Sequence, residues 1–201
     1  MKTLLFEWPD WFATNPLFIE EEAHEMEDFT YHRPVLESEV AELLAVRPGS
    51  LVVDGTCGGG GHTEALLRAG ADVLALDQDP DAIQHASEQL ARFGRRVAVL
   101  QANFRHANKV LDELRIHTIG GALLDLGVSS WQLENAKRGF SLVRNGPLDM
   151  RMDPRNRLTA ATIVNEYSAE QLTQLFRELG EEPAARRRAA GEFSARKQSS
   201  R

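Results

Sequence analysis

The chain carries, between residues 51 and 63, the run Leu51-Val52-Val53-Asp54-Gly55-Thr56-Cys57-Gly58-Gly59-Gly60-Gly61-His62-Thr63. An apolar segment ends in a carboxylate, passes through a cluster of glycines and opens into a predicted helix. A buried strand, a loop with few side chains and a helix N-terminus together let backbone N–H groups approach a ligand closely. The run therefore predicts a nucleotide-type cofactor site, and the rest of the chain must indicate which cofactor.

Strands and helices alternate around this run. The predicted strands are residues 50–54, 72–77, 96–100 and 121–125, with helices between them. Short, unbroken apolar strands in such an alternation predict a parallel sheet covered on both faces, hence an α/β fold. Ligands of these sheets bind outside the carboxyl ends of the strands. Because three of those ends carry a carboxylate, we expect an acidic crevice formed by Asp54, Asp77 and Asp125, with the Asn103-Phe104 pair after the third strand.

Several helices have clear start and stop signals. Asp79 followed by Pro80 predicts the start of a helix that ends at Gly94. Ser168 with Gln171 predicts a capping box for a helix with an apolar stripe of Leu172, Leu175, Phe176 and Leu179. Helices are also predicted near residues 61–70, 107–115 and 159–166. A first helix is predicted before Pro48 from the spacing of Val35, Leu36, Val40, Leu43 and Leu44.

Composition limits the class of protein. The 201 residues, 42% of them hydrophobic, suit one globular domain with a small appendage. No apolar run reaches the ~18 residues needed to cross a bilayer. The apolar start of the chain is interrupted by Glu7, Pro9 and Asp10 too early for a secretory signal. A single cysteine, Cys57, excludes an internal disulfide and fits a reducing compartment, so we expect a cytoplasmic protein.

The charge of the chain is unevenly distributed. The net charge is −7, and residues 1–30 hold eight acids but one base. We expect this acidic extension to be disordered, because acid-rich tails seldom bury enough surface to become ordered. Residues 131–201 hold nine acids and thirteen bases. The overall negative charge therefore does not exclude an RNA partner, and it does not establish one.

The glycine cluster differs from the dinucleotide-binding fingerprint. Two, four and six positions after Asp54 lie Thr56, Gly58 and Gly60, which is the acidic-x-Gly-x-Gly-x-Gly pattern of S-adenosylmethionine enzymes with threonine in the first glycine position. Asp77 ends the second strand, where its carboxylate can accept hydrogen bonds from two ribose hydroxyls. An acidic crevice also suits a sulfonium and repels a pyrophosphate. The alternatives are a flexible connector for the glycines and an ordinary surface charge for Asp77.

A second motif follows the fourth strand, where a methyl acceptor would meet the cofactor. It reads Asp125-Leu126-Gly127-Val128-Ser129-Ser130-Trp131-Gln132. Methyl transfer to an exocyclic amine requires acceptors that orient the amine, which Asp125, Ser129 or a backbone carbonyl can provide. Trp131 can stack on a base, although a lone tryptophan more often belongs to the core or its rim. His62 is likewise more often a packing or capping residue, and its ring can also close over the cofactor. The alternative for the stretch is an ordinary strand-to-loop turn.

Five segments of the chain resemble the RsmH (MraW) family of ribosomal small-subunit RNA (cytosine-N4-)methyltransferases. The similarity covers roughly residues 31–187, and the last segment is long and specific. The segments are Tyr31-His32-x-Pro34-Val35-Leu36, Asp54-Gly55-Thr56-x-Gly58-x-Gly60-Gly61-His62, Asp125-Leu126-Gly127-Val128-Ser129-Ser130-x-Gln132-Leu133, Arg138-Gly139-Phe140-Ser141 and Gly146-Pro147-Leu148-Asp149-Met150-Arg151-Met152-Asp153-Pro154.

The resemblance implies S-adenosyl-L-methionine as cofactor and a Rossmann-like methyltransferase sheet with a helical domain inserted after strand four. The substrate would be N4 of a cytidine in small-subunit ribosomal RNA, unstacked to reach the methyl group. Phe104 would lie against the adenine. The resemblance implies no metal site, and it names no catalytic base and no oligomeric state. The implied cofactor contacts are Gly60, Gly61, His62, Asp77, Phe104, Asp125 and Gln132.

Members of the resembled family are longer and return from the helical insert to complete the sheet. The resemblance therefore implies a C-terminally truncated chain with an incomplete sheet. The expected organisation is an acidic extension (1–30), the first part of the cofactor-binding domain (31–133), the start of the helical insertion (134–187) and a basic tail unlike the family (188–201). Two alternatives to an RNA methyltransferase stay open. One is a cofactor-binding remnant with little or no catalysis. The other is a DNA amino-methyltransferase, disfavoured because residues 125–131 lack the Pro-Pro-aromatic motif of that class.

Overall fold

The structure is a computed structural model that describes residues 34–199, with side chains through residue 195. The expected acidic extension, residues 1–30, lies outside the described residues. The described residues form two compact units, one ending at Trp131 and one beginning at Gln132. The predicted end of the first domain, residue 133, lies two residues later. In the described part of the chain, no helix is long and apolar enough to cross a membrane.

The first unit is built on a parallel sheet of four described strands. They are β1 (Leu51–Asp54), β2 (Asp72–Asp77), β3 (Val97–Gln101) and β4 (Gly121–Leu123). The spatial order is β3-β2-β1-β4, and all three pairings are parallel, which confirms the predicted sheet. The chain moves outward from β1 to β3 and then returns to the other side of β1. The strand order thus reverses between β1 and β4, the position at which open α/β sheets bind ligands.

Helices cover both faces of the sheet, as the unbroken apolar strands predict. α1 (Glu37–Leu43) precedes β1, and α2 (Gly61–Arg68), α3 (Pro80–Leu90) and α4 (Ala107–Glu113) connect the strands. One apolar cluster joins β1 and β2 to Leu66, Leu67 and Leu90 of α2 and α3. The other joins the opposite face of the same strands to Leu114 and Ile116, which follow α4. The central strands β1 and β2 are therefore buried from both sides.

Two helix predictions in this unit need correction. α3 ends at Leu90, and the chain continues as a 3-10 helix, Ala91–Arg96, in which Gly94 adopts a left-handed φ of 53°. α1 forms, but Val35, Leu36 and Leu43 are exposed, while Leu44 packs on the core. Helical spacing identified an apolar face but could not tell whether another element covers it.

The second unit is mainly helical. It contains a 3-10 helix, Ala136–Arg138, followed by α6 (Ala160–Glu166), α7 (Ala169–Glu178) and α8 (Ala185–Ser199); α5 (Ser130–Glu134) spans the boundary between the units. The predicted capping box is confirmed, because the Ser168 hydroxyl accepts from the Gln171 N–H at 3.2 Å and Gln171 Oε1 accepts from the Ser168 N–H at 2.8 Å. Leu172 is fully buried, but Leu179 lies beyond the end of α7 and is exposed, so the predicted stripe is wrong at its last member.

The loop between Arg138 and Thr159 has no regular structure and is held by guanidinium groups. Buried Arg138 donates to the carbonyls of Arg151 and Met152 at 3.0 and 3.1 Å. Arg151 in turn forms a two-pronged pair with Asp149, at 2.8 and 2.7 Å. Hydrogen bonds from Arg151 lower the pKa of Asp149 to about 2. The longest of the family-like segments is thus a network of local polar contacts.

The capping box offers a direct test of the second unit. Ser168→Ala removes the acceptor for the Gln171 N–H, so we expect the free energy of unfolding to fall by about 1 kcal/mol. Ser87→Ala is a matched control, because the Ser87 hydroxyl is exposed within α3 and donates to the Ile83 carbonyl of its own helix. The control should change stability by less than about 0.5 kcal/mol. Urea denaturation followed by circular dichroism measures both; equal stability of the two variants would contradict the role given to Ser168.

Candidate cofactor site

Asp54 ends β1 and organises the glycine loop from inside the protein. Its side chain is fully buried. The Thr56 N–H donates to Oδ1 at 3.1 Å, and the Thr63 hydroxyl donates to Oδ2 at 2.7 Å, so Asp54 joins the turn after β1 to the first turn of α2. Burial raises the pKa of Asp54 to about 6, although both hydrogen bonds act to lower it. The expectation that Asp54 presents its charge to the crevice is therefore wrong.

Asp77 ends β2 and holds the loop from its other side. The Gly58 N–H donates to Oδ2 at 2.8 Å, and the Asp79 N–H donates to Oδ1 at 2.9 Å. Burial raises the pKa of this carboxyl, and backbone hydrogen bonds from Asp79, Gly58 and Gln78 oppose the rise. Because an ionised carboxylate offers about four lone-pair sites, Asp77 can accept a further hydrogen bond from a ligand while it holds the loop.

The glycines of the loop are required for conformation and for space. Gly58 and Gly60 have φ values of 53° and 91°, a region that favours glycine. A Cβ on Gly60 would also lie 3.2 Å from the Leu90 side chain. A Cβ on Gly55 would lie 2.5 Å from Leu124 Cδ2 and 3.0 Å from Phe104 Cβ. The end of β1 thus passes directly against Phe104.

Phe104 begins a short 3-10 helix after β3 and is 37% exposed. Asn103 caps this helix by accepting from the Arg105 N–H at 2.9 Å. The Asn103 amide also donates to Gln78 Oε1 at 2.7 Å, which connects the ends of β3 and β2. The aromatic ring therefore stands at the carboxyl ends of the strands with part of its surface open to a ligand.

Asp125, two residues after the end of β4, is tied to the glycine loop at two points. Its N–H donates to the Thr56 hydroxyl at 2.7 Å, and its Oδ2 lies 3.4 Å from His62 Nε2. The Asp125 side chain is 38% exposed, whereas His62, in the first turn of α2, is 7% exposed. Thr56 occupies the position at which the pattern has glycine, and its hydroxyl is what joins the loop to the end of β4.

The first unit brings together six of the seven predicted site residues. These are Gly60, Gly61, His62, Asp77, Phe104 and Asp125. Gln132 is the first residue of the second unit, where it is buried in α5 and its amide donates to Met152 Sδ at 3.2 Å.

Sequence reasoning did not single out Gly55, Thr56 and Thr63 as site residues. Their spacing from Asp54 in the sequence could have indicated a role, but their contacts form only when the loop folds. Among the described residues, no cluster of three histidine, cysteine or acidic side chains could hold a metal ion.

With this geometry in place, comparison with known proteins gives a family. Residues 29–200 match the model of the MraW methylase family. The chain belongs to that family. The matched span includes residues 188–200, which were predicted to be a basic tail unlike the family. The glycine loop and all seven predicted site residues also lie within the matched span, although their individual roles stay predictions.

Curated relatives support the MraW assignment over much of the chain. The ribosomal RNA small subunit methyltransferase H of Syntrophotalea carbinolica is 50% identical over 159 residues, which cover 78% of this chain and 51% of the relative. Proteins of the same name from Carboxydothermus hydrogenoformans and Anaeromyxobacter dehalogenans are 50% and 51% identical, over 75% and 77% of this chain and 49% and 50% of the relatives. The chain spans about half the length of the curated relatives it matches.

The raised pKa of Asp54 predicts a pH dependence of stability. Because its folded value of about 6 exceeds the ordinary 3.8, the native state binds more protons between these values. The contribution of Asp54 to the free energy of unfolding therefore falls as pH rises from about 4 to about 6. Asp54→Asn removes this titration while its amide can still accept from Thr56 and donate to Thr63. Relative to wild type, Asp54→Asn should gain roughly 2–3 kcal/mol between pH 4 and pH 7.

Urea denaturation at pH 4, 5.5 and 7 measures this difference. Asp112→Asn is the matched control, because Asp112 is an exposed acid on α4. Its stability difference from wild type should be the same at each pH. Parallel pH profiles for Asp54→Asn and wild type would show that Asp54 does not titrate in this range.

Proposed function

We propose that this protein is an S-adenosylmethionine-dependent methyltransferase that modifies the N4 amino group of a cytidine in small-subunit ribosomal RNA. The observation that carries the proposal is the glycine loop after β1, fixed by Asp54 inside and Asp77 outside at the strand-order reversal. Membership of the MraW family and the names of the relatives support the RNA substrate. The cytosine N4 atom comes from the sequence resemblance.

The residues around the glycine loop fit S-adenosylmethionine in three respects. Asp77 has acceptor capacity left for ribose hydroxyls, Phe104 offers an apolar ring to adenine, and the N-terminus of α2 at Gly61 suits the methionyl carboxylate. The partly exposed carboxylates of Asp77 and Asp125 favour a cationic group and disfavour a pyrophosphate. When bound, the cofactor supplies a methyl group activated by its sulfonium.

The contribution of the protein to the reaction is alignment. In an in-line transfer, the amine nitrogen, the methyl carbon and the sulfur must be held in a row. Asp125 follows β4 at the same crevice and can accept a hydrogen bond from the target amine. We propose that Gly60, Gly61, His62 and Gln132 complete the cofactor surroundings, as the resemblance implies.

An RNA substrate accords with the charge of the second part of the chain. Residues 131–201 hold thirteen bases against nine acids, which favours contact with a phosphate backbone. We therefore propose small-subunit ribosomal RNA as the partner, with no role for DNA, and the cytoplasm as the location where that partner is found.

A second candidate function is cofactor binding without turnover. Among the described strands β4 pairs with β1 alone, and Leu124 and Leu126 beside Asp125 are 50% and 69% exposed. The crevice thus has an open wall next to the proposed acceptor. Such a chain could bind the cofactor and still hold the target base too loosely for transfer.

Transfer of labelled methyl from S-adenosylmethionine to small ribosomal subunits distinguishes the candidates. We expect label in small-subunit RNA, located at cytosine N4 by nuclease digestion and mass spectrometry. Protein-free ribosomal RNA and duplex DNA are the comparison substrates. Cofactor binding without any label would favour the second candidate, and label at a different base would contradict the proposed target.

Asp77→Ala tests the cofactor site independently of catalysis. Loss of hydrogen bonds to a charged acceptor should weaken S-adenosylmethionine binding by about 1–3 kcal/mol. Asp72→Ala is the matched control, because it removes a partly buried carboxylate from the opposite end of the same strand, where it pairs with Arg96. Isothermal titration calorimetry measures affinity, and urea denaturation corrects for lost stability. Equal affinities of the two variants would remove Asp77 from the site.

A further inference from the structure

His62 is a buried side chain whose two ring nitrogens have different surroundings. The residue is 7% exposed, and Nε2 lies 3.4 Å from Oδ2 of Asp125. Nδ1 is buried and has no hydrogen-bond partner among the described residues. The two nitrogens of the ring are therefore in different electrostatic surroundings, because Nε2 faces a carboxylate and Nδ1 does not.

This asymmetry determines where the imidazole carries its proton. In a singly protonated ring, one nitrogen donates and the other accepts. A proton on Nδ1 would be a buried donor without an acceptor, which is costly, whereas a proton on Nε2 meets the Asp125 carboxylate. The surroundings of the two nitrogens therefore favour the proton on Nε2. In that form the nitrogen that faces Asp125 carries an N–H and no lone pair.

Asp125 is thus held from the glycine loop by two different groups. The Thr56 hydroxyl accepts from its backbone N–H at 2.7 Å, and His62 Nε2 lies 3.4 Å from one carboxylate oxygen, Oδ2. Thr56 itself belongs to the turn fixed by Asp54, and His62 belongs to the helix that the same aspartate reaches through Thr63. The other oxygen, Oδ1, keeps its acceptor capacity, and the side chain is 38% exposed.

We propose that His62 and Thr56 are positioning residues, which orient Asp125 so that it can accept a hydrogen bond from the target amine. The proposal rests on the proposed amine methylation and gives His62 a role toward Asp125 in addition to any contact with the cofactor. His62 donates a hydrogen bond and receives no proton from the substrate. Since both residues belong to the loop that would hold the cofactor, one rigid loop would align the methyl donor and the acceptor of the amine.

The first experiment determines the tautomer of His62 without reference to activity. The chain is labelled with 15N-histidine, and the His62 signals are assigned by their absence in His62→Gln. Long-range proton–nitrogen spectra should show the Nε2–H form, and Asp125→Ala should shift the Nε2 resonance. An Nδ1–H form, or no response to Asp125→Ala, would overturn the proposal.

The second experiment separates positioning from packing. His62→Leu removes the donor, while His62→Gln keeps an N–H near the position of Nε2. At saturating S-adenosylmethionine, we expect His62→Leu to lower kcat roughly 10- to 100-fold and His62→Gln to restore most of the loss. His117→Leu is the control, because His117 is exposed before β4; it should leave kcat unchanged.

A matched pair at Thr56 tests the other anchor. Thr56→Val removes the hydroxyl at nearly constant volume, and Thr56→Ser keeps it, so we expect the valine variant to behave like His62→Leu and the serine variant like wild type. Equal losses of kcat in His62→Gln and His62→Leu at saturating S-adenosylmethionine would overturn the positioning role. Failure of the proposed function has a different signature, since the unsubstituted chain would then transfer no methyl group while the His62 spectra still report the Nε2–H form.

Discussion

The structure depends on the buried carboxylate of Asp54. A loop of glycines offers its backbone to a ligand, but it has few side chains with which to hold its own shape. Ordering such a loop is also costly, because glycine loses more conformational entropy on folding than any other residue. Asp54 supplies what the glycines lack, because its two oxygens bind the turn after β1 and the first turn of α2. Burial in the core makes the ionised form of Asp54 less stable, and its pKa is therefore raised. The turn after β1 and the first turn of α2 are thereby held by one buried side chain.

Three acidic side chains follow the strands, but they have different tasks. Asp54 is fully buried and serves the loop alone. Asp77 holds Gly58 with one oxygen and the start of α3 with the other, yet lies close enough to the surface to accept from a ligand. Asp125 is the most exposed of the three and is fixed through Thr56 and His62. Two of the three carboxylates, those of Asp77 and Asp125, are therefore partly exposed at the strand ends, while Asp54 holds the glycine loop from inside.

The second unit obtains its order in a different way. Between Arg138 and Thr159 the chain forms no helix or strand, and guanidinium groups and tight turns hold it. The first two N–H groups of α6 add to this, because Ala160 and Ala161 donate to the carbonyls of Asp149 and Leu148 at 2.8 and 2.7 Å. A Cβ on Gly139 would collide with the Pro147 carbonyl oxygen, and one on Gly146 would collide with the carbonyl oxygen of Ala136. Because particular side chains and turns hold the segment, it has a distinctive sequence without any periodicity. This explains why it could identify a family but could not be assigned a secondary structure.

The sequence alone determined the parallel sheet, the loop after β1, the capping of α3 by Asp79 and the capping box of α7, because each depends on local spacing and on burial of uninterrupted apolar runs. It also placed Asp77 and Asp125 at one edge, since parallel strands end together. Only the tertiary structure decided that Asp54 faces inward, that Gly55 packs against Phe104 and that His62 meets Asp125. These facts depend on how residues from different strands approach one another, and spacing along a chain carries no information about the direction in which a side chain at a strand end turns.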